Sequence, residues 1–132
     1  MSPHSRHVSV RIDRDAADVY AYAADPSHLP AWAAGLTGQP LERVGDRWVT
    51  ESPMGRIEIR FAAPNPYGVL DHDVTLPSGE VVHNPLRVIR DGDGCEVVFT
   101  VRRQPRESDE QFAADAAAVL ADLTTLKRLL EG

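Results

Sequence analysis

From Val8 to Ile12 apolar and polar residues alternate, with Val8, Val10 and Ile12 on one face and Ser9 and Arg11 on the other. That period of two predicts a half-buried strand. The following DAADVYAYAAD changes period: Val19, Tyr22 and Ala23 recur at helical spacing, and Asp13 or Asp15 can cap the helix. Asp25-Pro26 restarts the chain as cap and first residue of a second short helix, which carries Leu29 and Trp32 and ends near Gly35. Turn residues then recur at short intervals without helical periodicity, the pattern of an antiparallel meander. Strands are expected near Gln39 to Val44, Arg47 to Ser52, Arg56 to Ala63, Gly68 to Leu76, Glu80 to Arg90 and Gly94 to Arg103. Ser108 and Gln111 form a capping box opening a long helix to about Glu131. Its apolar stripe, Phe112, Ala116, Val119, Leu123, Leu126 and Leu130, needs cover, and the sheet is what the chain has to offer. With no internal repeat or linker, residues 1 to 132 read as one α+β domain.

The turns also assign faces. A three-residue loop at Pro77-Ser78-Gly79 pairs Leu76 with Glu80, Val74 with Val82, His72 with Asn84 and Leu70 with Leu86. A two-residue turn at Gly92-Asp93 places Val88 opposite Val97, Leu86 opposite Phe99 and Asn84 opposite Val101. Both registers put the same residues inward, leaving Asp71, Asp73, Thr75, Val81, His83, Pro85 and Arg87 on a solvated outer face. By the same alternation Ile57, Ile59 and Phe61 face inward, with Trp48 and Thr50 beside them. The concave lining is therefore apolar with few polar groups, as in a small-molecule pocket. Alanines at 113, 114, 116, 117, 118 and 121 fill little space between helix and sheet, so either a void persists there or the sheet closes onto them.

His72 and Asn84 are the polar pair on this apolar face, so they either hydrogen-bond each other or serve a ligand. In the second case they orient a carbonyl or hydroxyl, and His72, titrating near working pH, is the candidate catalytic acid or base. Trp32 is placed at the cavity mouth or in the core, Trp48 in the core. Arg103 shares the parity of Val101 and is either a rim residue facing a carboxylate or a solvated strand end. The expected ligand contacts are thus Trp32, Trp48, Thr50, Ile59, Phe61, His72, Asn84, Leu86, Phe99, Val101, Arg103, Phe112, Ala116 and Val119.

Composition narrows the partners. Twenty acidic against fourteen basic residues give a net charge of −6, which disfavours nucleic acid or an anionic membrane surface and suits a neutral or amphipathic small molecule. No run approaches the length needed to span a bilayer, and the N-terminus lacks a signal-peptide core, so a cytoplasmic protein is expected. The single cysteine, Cys95, excludes an internal disulfide and reads as a buried, unreactive thiol. Asp91-Gly-Asp93-Gly lacks the remaining ligands of a calcium loop and reads as a turn. Nothing requires a metal or cofactor. Thirteen arginines against one lysine suggest a GC-rich, bacterial genome.

Three segments carry a family likeness. VSVRIDRDAADVYAYAADPSHLPAW resembles the opening of START-like polyketide cyclase/dehydrase proteins, RVIRDGDGCEVVFTV their last hairpin and ADLTTLKRLLEG their terminal helix. The resemblance implies a helix-grip fold: a seven-stranded curved antiparallel sheet around a long C-terminal helix, with two short helices between strands one and two. It further implies a cavity that in relatives holds lipids, polyketide intermediates, hormones or quinones. A carrier or sequestering protein, monomeric or homodimeric, is the leading expectation. A cyclase/aromatase-type enzyme using His72, Asn84 and Thr50 is the alternative, and a co-chaperone-like interaction module using the outer sheet face is the third.

Overall fold

The computed structural model describes residues 4–34, 36 and 38–132. Strand β1 (Ser5–Ile12) leads into α1 (Ala16–Ala23), which Asp15 caps by accepting a hydrogen bond from the Ala17 N–H. Asp25 caps a single 3-10 turn, Pro26–His28, that runs into the one-turn helix α2 (Leu29–Trp32). The meander follows as β2 (Glu42–Val44), β3 (Arg47–Ser52), β4 (Gly55–Phe61), β5 (His72–Thr75), β6 (Val81–Asn84), β7 (Leu86–Asp91) and β8 (Gly94–Arg102). Helix α3 (Asp109–Glu131) closes the chain, and its capping box is present in both directions between Ser108 and Gln111.

The α+β class, the two short helices and the long terminal helix agree with the expectation, but the strand count does not. Among the described residues eight antiparallel strands form two sheets, β1-β8-β7 and β2-β3-β4-β5-β6, instead of one sheet of seven. The expected strand from Glu80 to Arg90 is divided into β6 and β7 at Pro85. The cause is local: proline has no N–H to give to a ladder. The register nevertheless holds on both sides of the break. His72 pairs with Asn84 and Val74 with Val82, while the Leu70 N–H still reaches Leu86 O at 2.8 Å. Leu86 pairs with Phe99 and Val88 with Val97, as the turn at Gly92-Asp93 requires.

The break rearranges the hydrogen bonds around it. In a regular hairpin the Leu86 N–H would return to Leu70 O. Here it donates to Asp71 Oδ1 at 2.9 Å, and Leu70 O lies 3.0 Å from His72 Nδ1 instead. The Asp71 carboxylate also takes both Nε and a terminal nitrogen of Arg87, at 2.8 and 2.7 Å. Just upstream, Gly68 has φ of 72°, and a Cβ there would lie 2.2 Å from Val88 O, so only glycine fits this crossing.

Helix α3 packs chiefly on β1, with lesser contacts to β8 and α2. Its C-terminal end is clamped there: Lys127 Nζ donates to Arg11 O at 2.6 Å, Glu131 accepts from the Asp13 N–H at 2.8 Å, and Arg14 donates to Leu130 O at 2.7 Å. Phe112, Ala116, Leu123, Leu126 and Leu130 are buried along the seam, against core residues that include Ile12, Val97 and Cys95. Because the helix is tied to β1, it lies off-centre over the two sheets. The flank away from β1 faces β5 and β6 across open space.

Candidate functional site

That space is a cavity of about 410 Å³ beneath α2 and α3 and above β4 to β8. Its floor is Phe61, Leu70, His72, Val74, Leu76, Val82, Asn84, Leu86, Phe99 and Val101, all projecting from the inner face that the hairpin registers define. Ala23, Leu29, Trp32, Ala33 and Leu36 cover one side, and Val119 and Leu123 of α3 the other. The mouth lies along α3, where Asp115 and Ala118 line the cavity while remaining exposed to solvent, with Arg102, Gln104, Glu107 and Asp122 around it. The proportions are those of a small-molecule pocket: a mostly hydrocarbon lining with a few placed polar groups.

Of the expected contacts, Trp32, Phe61, His72, Asn84, Leu86, Phe99, Val101 and Val119 line this cavity. Six do not. Ile59 is fully buried in the core, and Trp48 packs against that core from β3. Thr50 is buried but donates to Pro40 O at 3.1 Å, which ties β3 to the segment before β2. Phe112 and Ala116 fill the seam between α3 and the sheet. Arg103 pairs with Asp109 and lies over the Phe112 ring, 5.8 Å from its centroid, outside the cavity. Strand parity reports the face of Trp48, Thr50 and Ile59, but one inner face serves both the packed seam and the void.

Sequence reasoning missed the acidic rim. Asp115, Ala118 and Asp122 recur at helical spacing on the flank of α3 beside its apolar stripe, a small and polar row that marks the uncovered side. Burial, then a hydrogen bond with Glu107 and the charge of that neighbour, push the Asp115 carboxyl up to about 7. The folded protein therefore holds a proton on Asp115 more firmly than the unfolded chain does, so stability falls as pH rises from about 4 toward 7. Asp115→Asn should flatten the dependence and stabilise the protein at pH 8. The gain is about 0.5 kcal/mol or less, because the side chain is largely solvated. Urea unfolding of both proteins at pH 5 and pH 8 measures it, and an equal pH slope in the variant would contradict the pairing.

Deeper inside, the polar groups do not satisfy each other. His72 and Asn84 sit opposite, yet Nδ1 of His72 bonds Leu70 O and the Asn84 amide makes a long 3.5 Å contact with Val82 O. The imidazole is 7% exposed and lies between the Phe61 and Phe99 rings, at centroid distances of 5.5 and 5.8 Å. Burial pulls its pKa below the ordinary histidine value, so it is neutral at pH 7. The second open group is the Trp32 indole N–H, which is buried without a hydrogen-bond partner among the described residues. Such a donor costs on the order of 1 to 3 kcal/mol if left unpaired. Cys95 is buried away from this site, its thiol pushed up by burial. Among the described residues no group of three His, Cys, Asp or Glu side chains is placed to hold a metal ion, and no helix is long and apolar enough to cross a membrane.

The architecture has solved counterparts. DynU16, from the dynemicin biosynthetic locus, superposes with a TM-score of 0.75 at 17% identity, covering 98% of this chain and 48% of its own. The chain thus spans about half the length of DynU16. CalU16 from Micromonospora echinospora gives 0.72 at 15% identity, with 97% and 74% covered. The Aha1 dimer from Colwellia psychrerythraea gives 0.75 at 14%, with 96% of each chain covered. At these identities the likeness is one of fold. No curated protein gave a significant match. The family described as "Polyketide cyclase / dehydrase and lipid transport" matches residues 3–131. With nearly every residue from β1 to the end of α3 inside that match, the chain belongs to the polyketide cyclase/dehydrase and lipid transport family.

Proposed function

We propose that this protein binds a small, mostly apolar molecule, aromatic or lipid-like, in the cavity beside α3, in a carrier or sequestering role. The observation that carries the reading is the cavity itself: about 410 Å³, lined largely by hydrocarbon, with His72 Nε2 left open for hydrogen bonding. A closed core would have paired or excluded such a group. Family membership is consistent with this use. Titration with the neutral dye N-phenyl-1-naphthylamine tests it. Saturable 1:1 fluorescence enhancement, reversed by naphthalene, is expected, and a linear response without competition would remove the reading.

A second reading, a cyclase-type enzyme, is favoured by one feature: a buried, neutral imidazole on the cavity wall is suited to act as a general base. Thr50, which donates to Pro40 O and is not among the residues lining the cavity, is left out of this reading.

A further inference from the structure

The hydrogen-bonding polarity of the cavity follows from the contact that His72 makes beside the strand break at Pro85. Leu70 O is an acceptor and cannot donate, so a hydrogen bond at 3.0 Å from His72 Nδ1 requires that Nδ1 carry the proton. Leu70 O receives no hydrogen bond from the Leu86 N–H, which goes to Asp71 Oδ1 instead. A neutral imidazole with its proton on Nδ1 has a bare lone pair on Nε2, which has no partner among the described residues. Two flanking aromatic rings, Phe61 and Phe99, pack against the ring and hold it in place. The only lone pair of this imidazole thus belongs to whatever occupies the cavity, and it accepts but cannot donate.

Resting on the binding reading above, we propose that His72 is a specificity residue that selects ligands carrying a hydrogen-bond donor, an aromatic hydroxyl, over otherwise equal ligands whose oxygen is capped. A capped oxygen brings its own lone pairs against that of Nε2 and leaves both unsatisfied, whereas a hydroxyl satisfies both. The cavity therefore recognises a hydroxylated aromatic by hydrogen-bond polarity, with no charge involved.

The test is a calorimetric or dye-displacement comparison of naphthalene, 2-naphthol and 2-methoxynaphthalene, joined to the 15N spectrum of the His72 imidazole in the free protein. The wild type should bind 2-naphthol about tenfold more tightly than its methyl ether. That advantage should vanish in His72→Phe. The 15N shifts should report a protonated Nδ1 and a bare Nε2, a readout that does not depend on any variant folding. If naphthalene binds but the naphthol has no advantage, or if Nε2 carries the proton, this inference is wrong while the binding reading stands. If none of the three binds, the binding reading fails and this inference with it.

Discussion

Val119→Trp is expected to weaken binding of a naphthalene-sized ligand by at least about 30-fold, an effect of roughly 2 kcal/mol at the rate of 1.4 kcal/mol per tenfold. Val119 is half-buried on α3 and lines the cavity opposite the sheet, so an indole there points into space that is otherwise open. In a packed interior the same enlargement would strain neighbouring side chains, at a typical cost of about 1 to 3 kcal/mol. Here stability should change by less than about 1 kcal/mol, because the added atoms gain contacts instead of displacing them. Calorimetric titration together with thermal unfolding separates the outcomes. Unimpaired affinity would mean that ligands bind elsewhere, and a large loss of stability would mean that the cavity is not open.

Asp71→Ala should cost about 2 to 3 kcal/mol, since it removes a carboxylate that accepts a backbone N–H and a forked pair of arginine donors. Asp71 is only 17% exposed at the side chain, so water does not readily replace what is lost. Asp71→Asn should recover part of the loss by accepting from the Leu86 N–H, without the charge that holds Arg87. The pH dependence has a definite sign. The hydrogen bond from Arg87, outweighing the effect of burial, holds the Asp71 carboxyl below its ordinary value. Its contribution is therefore present above about pH 4 and lost as pH falls through the lower folded value, so wild type and Asp71→Ala should converge in acid. Denaturant unfolding at pH 7 and pH 3 measures both points, and an equal gap at the two pH values would contradict the ion pair.

Much of the fold could be read from turn chemistry. Pro77-Ser78-Gly79 and Gly92-Asp93 fix their hairpin registers because loop length sets which residues face each other, and the pairing of His72 with Asn84 and of Leu86 with Phe99 follows. Asp73 and His83 meet on the outer face at 2.6 Å for the same reason. Pro85 was visible in the sequence as a residue without an N–H. What alternation does not convey is that the ladder resumes in register beyond it, with Asp71 supplying the missing acceptor.

The site was legible only in part because apolar periodicity, of two in the strands and of 3.6 in α3, reports a face, while the division of that face into seam and void depends on where α3 rests. Ile59, Phe112 and Ala116 carry the same signature as Phe61, Leu86 and Val119. They differ because the clamps from Lys127, Glu131 and Arg14 draw the helix toward β1, a set of contacts more than a hundred residues apart in sequence. The buried Trp32 N–H is likewise a matter of absent neighbours, which a sequence does not record.

The most direct test of the cavity as binding site is a methyl NMR titration of Val/Leu-labelled protein with 2-naphthol. Saturable shifts should concentrate at Val74, Val82, Leu86, Val101, Val119 and Leu123, which surround the cavity from both sheet and helix. Shifts confined to the exposed methyls of Val44, Val81, Leu120 and Leu129, with the interior set unmoved, would contradict the account.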